Sequence, residues 1–182
     1  MKEEFSLFFD RRTIRKIDPE TYSDLTDLSG LIQDMYVDNE FFIVNWNGIP
    51  IILEYRYDMC DYVETMMSLL LFRNCNSGQS TFYFFSDVAC FNINISTTSN
   101  FNCLELSGTW NSLRWGKSIL DKGNKIVVDK QRFWGEIDSF MKSIVDDLAR
   151  AGLGKRKFYR SVIKYVREVH HCWYKGIITG HK

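Results

Sequence analysis

In "ACFNINIS", residues 89–96, Phe91, Ile93 and Ile95 alternate with Asn92, Asn94 and Ser96. That period of two places one face of a strand on a core and the other in water. "TFYFF" before it and "FNCLELSGTW" after it read as neighbouring strands. Upstream, "FFIVNWNGIPIILEYRY" gives two β-rich runs joined at Asn47-Gly48, a dipeptide suited to the positive φ angles of a two-residue hairpin turn. Pro50 places the start of the second run at an edge or a bulge. "EFSLFF" near the start reads as a first strand.

Elsewhere the spacing changes to that of a helix. Leu25, Leu28, Leu31, Ile32 and Met35 form one stripe, with Asp24, Asp27 and Asp34 on the other side. Asp61, followed three residues later by Glu64, reads as a capping box that opens the helix "YVETMMSLLLF". From Asp129, placed to cap, the residues Phe133, Ile137, Phe140, Met141, Ile144 and Leu148 form an apolar stripe that Gly152 ends. A last helix over 155–175 has Phe158, Val162, Tyr165, Val169 and Trp173 on one face. Lys157, Arg160, Lys164, Arg167 and His171 fall on the other. The pattern predicts an α+β fold in which a mainly antiparallel sheet of five to six strands packs with amphipathic helices and the chain ends in a helical pair.

The length of 182 residues and a hydrophobic fraction of 45% fit one globular domain spanning 1–182. The opening "MKEEFSLFFDRR" matches neither a signal peptide nor a membrane span, so a soluble, cytoplasmic protein is expected. Five cysteines with no CxxC pair indicate reduced structural thiols instead of a zinc ribbon or a disulfide framework.

Charge divides the chain. Its net charge is zero, yet residues 1–110 hold 16 acids against 7 bases, and residues 111–182 hold the reverse, 7 against 16. Residues 18–64 carry 11 acids and one base, Arg56, whereas residues 150–182 carry 9 bases and one acid, Glu168. A bipolar molecule of this kind suits a charged partner.

No catalytic set accompanies this asymmetry. His170, His171 and His181 are the only histidines, and two adjacent ones lack the i, i+4 spacing of a helical zinc site. In "ARAGLGKRK", Ala149 stands where a phosphate loop needs its first glycine, and Arg156 stands where it needs Ser or Thr. The acidic stretch "EYRYDMCDYVE", residues 54–64, lacks the turning glycine and ligand spacing of a calcium loop. Its carboxylates leave three readings: a glycosidase-like pair from Glu54, Asp58 and Asp61; helix capping with a solvated rim; or a docking surface. Docking is favoured because Tyr55, Tyr57 and Tyr62 combine contact area with low entropic cost, and carboxylates beside them steer a cationic partner. No enzyme, cofactor or metal is expected.

A small chain with an antiparallel sheet, an acidic tyrosine-bearing surface and the segment "KIVVDKQRFWGEIDSFMKSIVDDLARAG" resembles the immunity proteins of bacterial contact-dependent growth inhibition and related polymorphic toxin systems. The resemblance implies an inhibitor that binds the C-terminal nuclease domain of a cognate toxin and occludes its active site. On that reading the partner-binding set is Asp38, Glu40, Glu54, Tyr55, Tyr57, Asp58, Asp61, Tyr62 and Glu64. The alternative is a nucleic-acid-binding regulator that uses the basic surface of Lys157, Arg160, Lys164 and Arg167.

Overall fold

The computed structural model describes residues 5–9, 12–18, 28–73, 78–85, 89–99, 102–113 and 116–153. Strand β1 (Phe5–Phe9) and helix α1 (Leu28–Met35) precede the hairpin of β2 (Phe41–Trp46) and β3 (Ile49–Glu54). Helix α2 (Asp58–Arg73) leads to β4 (Gln79–Phe85), β5 (Ala89–Thr97) and β6 (Cys103–Leu113). A short helix α3 (Lys117–Lys122), strand β7 (Lys125–Asp129) and helix α4 (Lys130–Arg150) complete the described chain.

The α+β class and antiparallel pairing agree with the sequence pattern, but the strands number seven among the described residues and form two sheets. These are β1-β2-β3 and β4-β5-β6-β7, antiparallel throughout. Asn47 (φ 53°) and Gly48 (φ 80°) make the expected two-residue turn. Pro50 lies in β3, an edge strand, where its missing N–H breaks no ladder. Asp129 caps α4 by accepting from Arg132 N–H at 2.8 Å. Beyond α4, Gly152 at φ 106° lets its own N–H reach Ala149 O, and Leu153 N–H reaches Leu148 O. That pair of bonds is a Schellman closure. Helix α3 has one buried apolar residue, Leu120, too few to generate a readable stripe.

One aromatic chain joins the two sheets. Trp46 of β2 meets Trp110 of β6 edge-on, with centroids 5.1 Å apart. Trp110 contacts Phe91, which stacks on Phe84 at 4.6 Å. Tyr62 of α2 then touches Phe84, Phe42 and Phe140, so both sheets and α4 converge on one ring. Gly108 is required where that chain turns: a Cβ there would lie 2.5 Å from the Trp110 ring. Gly108→Ala should therefore lower unfolding free energy by about 1–3 kcal/mol, because a packed indole cannot yield without shifting its neighbours. Urea titration followed by tryptophan fluorescence measures this directly. Among the described residues, no helix is long and apolar enough to cross a membrane.

Candidate functional site

The acidic stretch folds into a corner where the start of β2, the end of β3 and the start of α2 meet. Pleat alternation decides which side chains leave the surface there. Ile51, Leu53 and Tyr55 point inward, and Tyr55 is 1% exposed beneath Tyr36 and Phe42. On α2, Met59, Tyr62, Val63 and Met66 form the buried face.

These placements correct part of the sequence expectation. Tyr55, Asp58 and Tyr62 are buried, so none of them is a surface anchor for a partner. The capping box at Asp61 and Glu64 is also displaced, because α2 begins at Asp58 and Asp61 already lies within its first turn. Instead, an Asp58 carboxylate oxygen accepts from Glu54 N–H at 2.6 Å and closes the passage from strand to helix. Tyrosines set among carboxylates have the composition of a docking surface, and composition alone does not separate these buried members from exposed Tyr57.

Asp38, Glu40 and Glu54 meet at the corner. Asp38 receives both bonds from one Arg56 nitrogen, each at 2.7 Å, and a third from the Tyr57 hydroxyl at 3.2 Å. The Arg56 hydrogen bond holds the Asp38 carboxyl below its ordinary range, and the same bond raises the Arg56 guanidinium. Arg56 also lies 5.5 Å over the Tyr57 ring. Glu54 accepts from Asn39 N–H at 2.9 Å, and Glu40 accepts from Thr13 N–H at 2.7 Å. Tyr55 N–H bonds Glu40 O, so the start of β2 and the end of β3 abut. Asp61 and Glu64 are half-buried on α2, and Tyr57 is exposed. The segment 12–18 brings Arg15 close enough to Asp38 to favour its charged form.

Beside this corner lies a small cleft lined by Leu53, Asp58, Asp61, Tyr62, Phe84 and Phe91. Burial pushes the Tyr62 phenol well above its ordinary value, so it stays protonated. Among the described residues, no group of three or more His, Cys, Asp or Glu is arranged to hold a metal ion. The alternative basic surface of Lys157, Arg160, Lys164 and Arg167, and all three histidines, lie outside the described residues.

A second polar cluster was missed in the sequence. Asp147 of α4 is 1% exposed and accepts from Arg12 Nε, from the Tyr36 hydroxyl at 2.9 Å and from Arg150 at 3.3 Å. Arg12 also lies 5.5 Å over the Tyr55 ring. Burial, and then the charge of Asp147, push the Tyr36 phenol well above its ordinary value and keep it a donor. One signal was present: Asp147 is seven residues after Phe140, about 20° away around the helix, and so on the apolar stripe.

A scan against family models finds none that matches the chain, and neither curated proteins nor solved structures give a match.

Proposed function

We propose that this chain is an immunity-type inhibitor that binds a cationic toxin domain, a nuclease by preference, and occludes its active site. The supporting observation is the corner of carboxylates around exposed Tyr57: Asp38, Glu40 and Glu54, with Asp61 and Glu64 along the first turns of α2. Arg56 offsets part of the charge at Asp38, but across residues 34–64 it is one base against seven acids. Backbone N–H groups and Arg56 already fix three of these carboxylates, so less side-chain freedom is lost on binding. A nuclease surface that holds phosphates is basic, and such a corner offers it the charge of its substrate. Tyr57 supplies apolar contact at the centre.

The partner is to be identified by capture of the tagged chain from its host at low and high salt, with mass spectrometry of what stays bound. A stoichiometric C-terminal fragment of a large secreted protein is the expected result. Nucleic acid alone, released by salt, would instead favour the basic surface near the C-terminus. Against the captured domain, Asp61→Lys combined with Glu64→Lys should weaken binding about tenfold to a thousandfold, mainly through slower association. Stopped-flow kinetics at two ionic strengths reads both quantities. Unchanged kinetics would place the interface away from this corner.

A further inference from the structure

Where α2 meets the four-stranded sheet, exposed rings stand beside carboxylates. Phe85 is 60% exposed and Tyr83 43%, and their ring planes lie within 4° of parallel with centroids 5.9 Å apart. Both belong to β4, and the Thr65 hydroxyl of α2 donates to Tyr83 O at 2.8 Å, so the helix lies against that strand. Asp61 precedes Thr65 by one turn on the same side of α2. Four helical residues advance about 6 Å and two strand residues about 7 Å, so Asp61 comes level with Phe85 as Thr65 does with Tyr83. Asp61 and Phe85 accordingly line one cleft.

Leu53, Phe84 and Phe91, all buried, give that cleft apolar walls, and Asp58 is the second carboxylate in its lining. It has room for a group about the size of one water molecule.

We propose that the cleft receives a lysine side chain of the protein partner, with the ammonium between Asp58 and Asp61 and the methylene stem on Phe85, a contact that rests on the inhibitor reading for the identity of that partner. Size selects the ion. An ammonium is compact and close to water in volume, whereas the planar fork of a guanidinium is too large for the space. Charge selects the sign. The positive end of the α2 dipole, about half an elementary charge, opposes a cation there, but two carboxylates outweigh it. An ion taken out of water must also be paired, and Asp58 is oriented in advance because it accepts from Glu54 N–H at 2.6 Å.

The rings select the stem. Lysine is apolar up to its charged tip, and Phe85 offers both contact area and a π face that attracts the cation. Phosphates of a nucleic acid would meet the same carboxylates and be repelled. In a nuclease, lysines hold phosphate as point charges. Capture of one such lysine is how an inhibitor at this corner would occlude the active site.

Two measurements on the full-length chain test this. In the first, amide and methyl NMR spectra follow titration with N-acetyl-lysine methylamide at fixed ionic strength, and with N-acetyl-arginine methylamide in parallel. The lysine probe should give saturable shifts centred on Asp61, Phe85 and Ala89, bind about threefold or more tighter than the arginine probe, and lose its shifts in Asp61→Asn. No saturable shift, or an equal response to both probes, would overturn the lysine assignment. In the second, the captured domain is assayed against Phe85→Ala and against Phe41→Ala, an aromatic 49% exposed on the other sheet. Both side chains are exposed, so neither substitution opens the core. Phe85→Ala should speed dissociation about tenfold with association nearly unchanged, because the ring adds contact and no long-range charge. Phe41→Ala should change neither rate. Dissociation unchanged by Phe85→Ala would overturn the proposal while the inhibitor reading stands. Capture of nucleic acid alone, with the lysine probe still bound in the cleft, would uphold the lysine site and overturn the inhibitor reading.

Discussion

Asp147→Ala should be among the most damaging single substitutions in this protein, lowering unfolding free energy by about 3–5 kcal/mol and Tm by about 10 °C or more. The side chain is 2% exposed and takes hydrogen bonds from Arg12 and Tyr36. Truncation removes the acceptor for a phenol that is fully buried and for a guanidinium that retains 10% side-chain exposure. Neither donor regains bulk water, so the loss exceeds the net worth of the bonds themselves. The cluster also ties distant parts of the chain together. Beside it, Ile17 N–H bonds Ala151 O, Lys16 reaches Arg150 O, and Arg15 N–H bonds Met35 O. Segment 12–18 thereby clamps the end of α4 to the end of α1. Asp147→Asn keeps an acceptor for Tyr36 but withdraws the charge that faces Arg12, so it should fall between Asp147→Ala and the native protein. Replacing the pair together, Arg12→Met with Asp147→Leu, should cost much less than the two single substitutions added. Thermal and urea unfolding of the four proteins completes the cycle, and additive costs would show that the two side chains act independently.

The contrast between Asp147 and the residues 54–64 shows what a sequence carries and what it withholds. Periodicity located the long elements because each buries a regular stripe: Phe91, Ile93 and Ile95 in β5, and Phe133 to Leu148 in α4. Asn47-Gly48 specified its turn through local backbone energetics alone. Division into two sheets was not legible, since it depends on the Trp46–Trp110 and Tyr62 contacts between residues far apart in sequence. At the candidate site, composition singled out the acidic stretch, and Asp38, Glu40 and Glu54 do meet beside it. It did not sort its members, because a tyrosine or aspartate serves equally well in a core with partners and on a surface with water. Tyr57 is exposed, whereas Tyr55 and Tyr62, two and five residues away, are buried. β3 ends at Glu54, so the turn that follows breaks the pleat between Tyr55 and Tyr57, and helix phase turns Tyr62 back into the core.

Tyr62 tests that sorting with the other large effect. Its ring lies 5.3 Å from Phe42, 4.9 Å from Phe84 and 5.5 Å from Phe140, joining β2, β4 and α4 through α2. Tyr62→Ala should lower unfolding free energy by about 3–5 kcal/mol, since four close-packed elements cannot collapse into the space of a lost ring. Tyr62→Phe should behave in the opposite way. The hydroxyl is buried with no hydrogen-bond partner among the described residues. Its removal discards an unrewarded desolvation cost, so stability should stay within about 1 kcal/mol of native or rise. If Tyr62 were instead an anchor for the proposed partner, Tyr62→Phe would weaken binding while leaving the fold intact. Binding of the captured domain should therefore be unchanged by Tyr62→Phe and weakened by Tyr57→Ala, whose ring is 46% exposed. Reversal of that order would return Tyr62 to the interface and require the corner to open before the partner docks.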